Sequence, residues 1–266
     1  ILSAKTAETI DVSGFNHKNQ AEVMESLKKG IEEKGSGEWV IAYGWDPAIL
    51  RNLEAPTLKE LDQMAPENPL FIIAQTLHSG FANSLALEEA GINKYTPNPE
   101  GGYFDKDENG ELTGLIVEVG AMTKIADASP KYPRAAYLYL LTKQMETYSK
   151  AGYTTIVAPG LQPIIPKHIQ SLQEVAEHPN SPVRVFTYPL FDRLEKTYFK
   201  PSQGNQKFKV LGPKFWIDGS PYAGGMAMNE PYLDNEFTRN KLGIKFGKKG
   251  HLTYDDERLF FLIEKF

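Results

Sequence analysis

The chain has 266 residues, of which 41% are hydrophobic and 24% are charged, as is typical of a globular protein with one large domain or two smaller ones. Its formal net charge of −5, with both signs mixed along the sequence, argues against a nucleic-acid partner. No run is long and apolar enough to span a membrane, and the absence of cysteine excludes disulfides, thiolate metal sites and a cysteine nucleophile.

The first third of the chain alternates between helical and extended patterns. Apolar residues at helical spacing predict a helix over about residues 17–33, and Thr57 is the expected N-cap of a short helix that ends at Met64. Aromatic and β-branched residues predict strands at 38–43 and 69–75. The second of these strands is apolar throughout, so we expect it to be covered on both faces.

Polar loops follow both predicted strands and are candidate site positions. The first strand runs into a turn that carries Trp45 and Asp46 at its tip. The second is followed by a loop containing His78 and then by a predicted helix that starts at Phe81 and ends at Gly91. Because α/β proteins place binding residues in loops between a strand and a helix, His78 is a candidate. A loop histidine bonded to a nearby carbonyl is the alternative interpretation.

Residues 103–119 predict a β-hairpin. Two short extended segments flank Asp107–Gly110, which contains Asn-Gly, the strongest short hairpin signal. Glu118 follows three apolar residues and is a candidate for an inward-facing carboxylate. A solvated carboxylate at the strand end is the alternative.

From about residue 131 helices and strands alternate, which predicts a parallel sheet covered by helices. Three such strands are too few for a closed eight-stranded barrel. The predicted segments, in order, are helix 133–152, strand 153–158, helix 165–177, strand 183–188, a short helix near 191–198, and strand 208–210.

The stretch Lys214–Ser220 predicts a short buried strand that ends in a polar turn. Alternation with period two puts Lys214 and Asp218 on the same side of this strand. An inward-facing lysine is costly unless it is paired, modified or bound to something, so Lys214 is a candidate site residue. A snorkelling lysine on an edge strand, followed by an ordinary turn, is the alternative.

Several of these segments form a series along the chain. They are Gly44-Trp45-Asp46, His78 with Asn83–Leu87 and Gly91-Ile92, Gly114–Glu118, Gly152–Thr155, and Lys214–Ser220 with Pro231-Tyr232. In this order they resemble the amidohydrolase superfamily, in its YtcJ-like branch of metal-dependent hydrolases. Each segment is weak alone, and the shared order over nearly the whole chain carries the resemblance.

The resemblance implies an α/β fold that is part of a TIM-like (β/α)8 barrel, with a large insertion lobe after the first strand. Residues 1–130 would form the lobe, and 131–266 about barrel strands 2–4. It also implies a divalent metal, usually zinc, that activates water to attack a C–N bond of an amide-like or cyclic amide substrate. Lys214 is expected to be carboxylated and to bind this metal. The residues expected to contact the substrate are His78, Asn83, Trp45, Asp46, Asp218 and Glu118.

The family's His-x-His pair is expected shortly before Ile1, and its later histidines and acid/base Asp beyond Phe266. None of the five histidines here forms such a pair, so the sequence predicts a central fragment that is inactive alone. A small-molecule substrate is the expected partner, and a homodimer is the oligomeric state that we consider. One alternative is a non-catalytic binding or regulatory protein on the same scaffold. Another is an unrelated solute-binding α/β protein, which would need two full lobes although only one run of βα repeats is visible.

Overall fold

A computed structural model describes residues 9–50, 52–99, 102–131, 133–161, 167–190, 200 and 202–265. The chain forms two compact units. The first unit contains Thr9–Lys131 and Asp218–Leu252, and the second contains Tyr132–Ile217 and Thr253–Phe266. The first unit is therefore discontinuous in sequence, because the chain leaves it after Lys131 and returns at Asp218. The predicted division into an insertion lobe (1–130) and a barrel portion (131–266) stays a prediction.

The first unit is built on a six-stranded mixed sheet. Its strands are β1 (Ile10–Asp11), β2 (Val40–Trp45), β3 (Leu70–Ala74), β4 (Ser79–Ala82), β5 (Tyr103–Lys106) and β6 (Leu112–Val117). They lie in the order β1-β2-β3-β4-β6-β5. The first three run parallel, while β4 pairs antiparallel with both β3 and β6, and β5 pairs antiparallel with β6. The predicted hairpin is thus confirmed.

In the described part of the first unit, four α-helices accompany this sheet: α1 (Gln20–Glu32), α2 (Leu58–Met64), α3 (Ser84–Glu89) and α4 (Glu118–Ala128). A 3-10 turn (Pro221–Ala223) and a π-helix (Phe237–Lys241) lie in the returning segment. The N-terminal helix and the one capped by Thr57 were predicted, and Thr57 forms a capping box with Glu60. The sequence did not predict α4, whose early Gly and Thr residues are weak helix formers.

Strand β3 is covered on both faces, as its apolar run predicts. Leu70 and Ile72 are fully buried in one hydrophobic cluster, together with Leu27 and Val40. Phe71 points to the other face and belongs to a second cluster. The core of the first unit therefore consists of two layers, with this strand between them.

The segment after β3 corrects one prediction. Residues 79–82 form β4 instead of starting a helix, and α3 begins only at Ser84. Gly80 allows this pairing, since a Cβ there would lie 2.7 Å from the carbonyl oxygen of Ile72. His78 therefore lies in a short connection between two antiparallel strands, and not in a loop between a strand and a helix.

The second unit contains a three-stranded parallel sheet whose strands lie side by side in chain order, which confirms the predicted parallel arrangement. Its helices bury one hydrophobic cluster against the strands, including Met145, Ile169 and Phe208. No closed barrel is formed by the part of the chain that the structure describes. The elements are α5 (Arg134–Lys150), β7 (Thr155–Leu161), α6 (Lys167–Glu177), β8 (Arg184–Pro189), β9 (Phe208–Val210) and α7 (Asp256–Lys265). The helix predicted near residues 191–198 lies outside the described residues.

The buried strand predicted for Lys214–Ser220 is wrong. Lys214 makes a single bridge with Leu190, and the residues after it are not in a strand of either sheet. Trp216 and Ile217 are 37% and 47% exposed, so the apolar character of this stretch does not reflect burial within the chain. Among the helices in the described ranges, none combines the length and the hydropathy that crossing a membrane requires.

Candidate functional site

Lys214 lies at the carboxyl edge of the parallel sheet in the second unit. Its backbone N–H donates to the carbonyl oxygen of Pro189, the last residue of β8, at 2.7 Å. The side chain is half-buried. The carboxyl ends of parallel strands are where α/β folds place ligand sites, so this position suits a functional lysine even though no strand carries it.

The end of β7 passes close to Lys214. The register of β7 shifts between Pro159 and Leu161, and Gly160 has a φ of +71°. A Cβ on Gly160 would lie 3.4 Å from Cζ2 of Trp216 and 3.9 Å from Cγ of Lys214. The aliphatic part of the Lys214 side chain therefore lies beside the carboxyl ends of β7 and β8.

Lys214 is the residue of the second unit that the sequence predicts as a metal ligand. A lysine ammonium has no lone pair and cannot bind a metal ion, whereas a carboxylated Lys214 would supply anionic oxygen. Nowhere in the described ranges do three His, Asp or Glu side chains come together as a possible metal site. Lys214, even if carboxylated, does not form a metal centre by itself.

In the first unit, His78 and Glu118 form a close pair. Nδ1 of His78 lies 2.7 Å from Oε2 of Glu118, and the backbone N–H of Glu118 donates to the carbonyl oxygen of His78, also at 2.7 Å. The register of the sheet explains the contact, because Ser79 pairs with Val117 and so brings the adjacent residues together. The side chains of the pair are 29% and 22% exposed, so both groups remain accessible to a small molecule.

The backbone around this pair is strained. Glu118 has a φ of +66° and Leu77, next to His78, a φ of +64°, a left-handed conformation that costs a non-glycine residue on the order of 1 kcal/mol or more. Such strain occurs preferentially at functional positions.

The second carboxylate oxygen of Glu118 faces the loop that follows Asp218. Oε1 lies 3.5 Å from the backbone nitrogen of Ser220, and a Cβ on Gly225 would approach that oxygen to 3.1 Å. The loop is closed by Gly219, whose N–H donates to the carbonyl oxygen of Gly225 at 3.1 Å. Ser220 and Gly225 were not predicted as site residues from the sequence. The glycine-rich run in this loop is the sequence feature that could have indicated them.

Asp218 organises its own segment. Its Oδ2 accepts the backbone N–H of Ala227 at 3.1 Å, and its backbone bridges to Leu252.

Two tyrosines near the carboxylates of Glu118 and Asp218 have a raised pKa. Burial raises the pKa of Tyr103, with added repulsion from Asp105 and Glu118. Burial also raises the pKa of Tyr232, with a smaller effect of Asp218.

Trp45 and Asp46 line a small cavity in the first unit. Trp45 is 3% exposed and packs edge-on against Phe81, with ring centroids 5.7 Å apart and an interplanar angle of 66°. Asp46 accepts the N–H of Ala48 through Oδ1 at 2.8 Å, which fixes the turn. The cavity has a volume of about 90 Å³ and is also lined by Tyr103 and other residues of this unit.

Asn83 lies in the core instead of at a cavity. Its side chain is fully buried, and Oδ1 accepts the N–H groups of Leu70 and Ala86 at 2.9 and 3.0 Å. Nδ2 donates to the carbonyl oxygens of Ala65 and Asn68 at 3.1 and 2.9 Å. All four hydrogen-bonding positions of the amide are therefore used within the protein, which makes Asn83 a structural residue in this chain.

Comparisons with known proteins show which family this chain is similar to. The model of a family described as the amidohydrolase family matches residues 4–265. N-substituted formamide deformylase of Arthrobacter pascens is 31% identical over 158 residues, which cover 58% of this chain and 29% of that protein. YtcJ of Bacillus subtilis (strain 168), described by name as an amidohydrolase, is 26% identical over 270 residues, covering 96% of this chain and 46% of YtcJ. The chain thus spans less than half the length of these curated relatives.

A solved structure shares the fold. The crystal structure of an uncharacterized metal-dependent hydrolase from Pyrococcus horikoshii OT3 superposes with a TM-score of 0.62 at 23% sequence identity, covering 99% of this chain and 48% of that one. At this identity the similarity concerns the mixed α/β fold.

Proposed function

This chain belongs to the amidohydrolase family, and we propose that the protein hydrolyses C–N bonds of amide-like or cyclic amide substrates with a divalent metal ion, namely zinc. The amide-like class is suggested by the relative named as a deformylase of N-substituted formamides. The metal is suggested by the solved structure, which is named as a metal-dependent hydrolase. In the same proposal the second unit is part of a TIM-like barrel and the first unit is its insertion lobe. Family membership excludes the interpretation as an unrelated solute-binding protein.

The observation that carries the proposal is the position of Lys214 at the carboxyl edge of the parallel sheet, beside the ends of β7 and β8. An ammonium group has no lone pair for a metal ion, whereas a carbamate formed with CO₂ would present oxygen ligands suited to a divalent ion. The ion would supply the chemistry of water activation. Because the described residues contain no group of three or more His, Asp or Glu side chains that could hold a metal ion, the remaining ligands in this proposal come from outside the described residues.

In the first unit we assign substrate contact to His78, held by Glu118. With Nδ1 engaged at 2.7 Å, Nε2 is the ring nitrogen left for the substrate, where it can donate to a substrate carbonyl as the imidazolium or accept a substrate N–H as the neutral ring. The carboxylate fixes the orientation of the ring, which is the usual role of such a partner. Trp45, Asp46 and Asp218 are further proposed contacts within this unit.

The test uses the full-length protein and the variant Lys214→Ala, with Lys150→Ala as the control, because Lys150 is an exposed lysine at the end of α5. We expect Lys214→Ala to lose bound metal by elemental analysis and to lose hydrolysis of N-substituted formamides. In protein equilibrated with carbon-13 bicarbonate, we also expect a carbamate NMR signal that is absent from this variant only. Full metal occupancy in Lys214→Ala would remove this lysine from the site. Saturable substrate binding by the wild type without any turnover would favour the non-catalytic alternative.

A further inference from the structure

The small cavity behind Trp45 has the properties of a ligand site of its own. We propose that it binds a short-chain monocarboxylate, with the alkyl chain against Trp45 and Phe81 and the carboxylate at Lys241. The cavity lies within the first unit, and its volume is about 90 Å³, below the roughly 300–1,000 Å³ of pockets for drug-sized molecules. Only a small group fits. The cavity shares Trp45 and Asp46 with the substrate contacts of the hydrolase proposal, but the test below measures binding without turnover, so the two proposals can fail separately.

The inner walls of the cavity are apolar and already ordered. Trp45 and Phe81 are 3% and 7% exposed, and their edge-to-face contact holds both rings in place. Leu115 and Val117 extend the apolar lining, while Tyr222, which is 52% exposed, also belongs to the lining. A short alkyl chain would bury its surface here with little reorganisation of the protein.

The lining also contains a poorly compensated cation. The side chain of Lys241 is 17% exposed, and its ion-pair partner is Oε1 of Glu54, at 3.5 Å on a side chain that is 78% exposed. A charge removed from water is costly unless a close partner compensates it, and this partner is both distant and solvated. Lys245, in the same segment, has a similar ion pair at 3.6 Å but is 73% exposed. Lys241 is therefore the lysine of the two that gains from a bound anion.

The local backbone supports a binding role for Lys241. It is the last residue of the π-helix Phe237–Lys241, in which the N–H of Leu242 donates to the carbonyl oxygen of Phe237 at 3.1 Å. π-helical turns are rare and frequently mark functional sites. This turn brings two consecutive residues, Asn240 and Lys241, into the cavity lining. An amide donor next to an ammonium suits a carboxylate.

A preference of the cavity for a cationic ligand is less well supported. Asp46 also lines the cavity, but the N–H of Ala48 donates to its Oδ1 and so compensates part of the negative charge of this carboxylate. An ammonium ligand would in addition meet the buried charge of Lys241. The balance of the lining therefore favours an anionic ligand over a cationic one.

The experiment titrates the full protein with isovalerate, and with isovaleramide and isopentylammonium as neutral and cationic probes of matched shape, using calorimetry. We expect saturable binding of isovalerate and no binding of the ammonium probe. The amide should bind more weakly than isovalerate by about tenfold or more, because a charge-assisted hydrogen bond is lost. Lys241→Met should weaken isovalerate binding by a similar factor. The control Lys245→Met should bind it as the wild type does.

The ligand series on the unmodified protein decides the question even if Lys241→Met folds poorly. Absence of saturable isovalerate binding, equal affinity for isovalerate and isovaleramide, or preference for the ammonium probe would each overturn the proposal. So would equal effects of Lys241→Met and Lys245→Met in two folded variants, as judged by circular dichroism.

Discussion

Replacing Asn83 by alanine tests whether this residue stabilises the first unit or contacts a ligand. Its buried amide links β3, the end of α2 and the start of α3. The carbonyl oxygen serves the N–H groups of Leu70 and Ala86, and the amide nitrogen serves the carbonyl oxygens of Ala65 and Asn68. Alanine would leave all four backbone groups without this partner.

The expected loss of stability follows from the free-energy cost of buried polar groups that lose their hydrogen bonds. Each buried donor or acceptor left unsatisfied costs roughly 1–3 kcal/mol, and loss of an N-cap side chain costs about 1 kcal/mol. Water will reach some of the freed groups at the end of α3, so we expect a total loss of about 4 kcal/mol in the free energy of unfolding. That is a large part of the roughly 5–15 kcal/mol that stabilises a typical domain.

The assay is urea unfolding of Asn83→Ala followed by circular dichroism, with Ser84→Ala as the control. Ser84 is exposed, and its hydroxyl donates to Oδ2 of Asp62 at 2.7 Å, so the control should lose less than about 1 kcal/mol. A loss below about 1 kcal/mol for Asn83→Ala, combined with weaker substrate binding, would refute the structural role and return Asn83 to the substrate pocket.

Three further predictions concern local interactions. Thr57→Ala should destabilise α2 by about 1 kcal/mol in urea unfolding. Since hydrogen bonds from the backbone and side chain of Thr57 lower the pKa of Glu60, the stabilisation that depends on the Glu60 carboxylate should be present at neutral pH and fade as pH falls through its folded-state pKa. A destabilisation of Glu60→Gln that is equal at neutral and acidic pH would contradict this. For His78 and Glu118, a double-mutant cycle with His78→Ala and Glu118→Gln should give a coupling of about 1 kcal/mol, because the pair is partly exposed; additive effects would show that the contact does not stabilise the fold.

Local sequence signals predicted those elements whose stabilising contacts are close in sequence. The capping box depends on Thr57 and Glu60, three residues apart, and can be recognised without knowing the rest of the fold. The apolar run of β3 likewise indicated burial on both faces, because no polar side chain interrupts it.

The elements that were missed depend on distant contacts. Ser79 and Gly80 have low strand propensity, yet β4 forms because β3 and β6 supply backbone partners on both sides. The contact between His78 and Glu118 also arises from this pairing, across 40 positions, so sequence could propose the two residues but not their contact. Lys214 was proposed as a site residue from its chemistry and stays a prediction, while the wrong strand assignment came from an apolar pattern that the fold leaves partly exposed.

The discontinuity of the first unit has a consequence for biosynthesis. Ser220 and Gly225, which surround the Glu118 carboxylate, belong to a segment that leaves the ribosome only after the intervening part of the second unit has been made. Chains elongate at about 5–20 residues per second, so a six-stranded sheet that folds as soon as β6 has been made would exist for some seconds with the Glu118 carboxylate uncovered. A chaperone that acts during this interval would meet His78 and Glu118 as a solvent-facing pair, before the loop that contacts Glu118 has been synthesised.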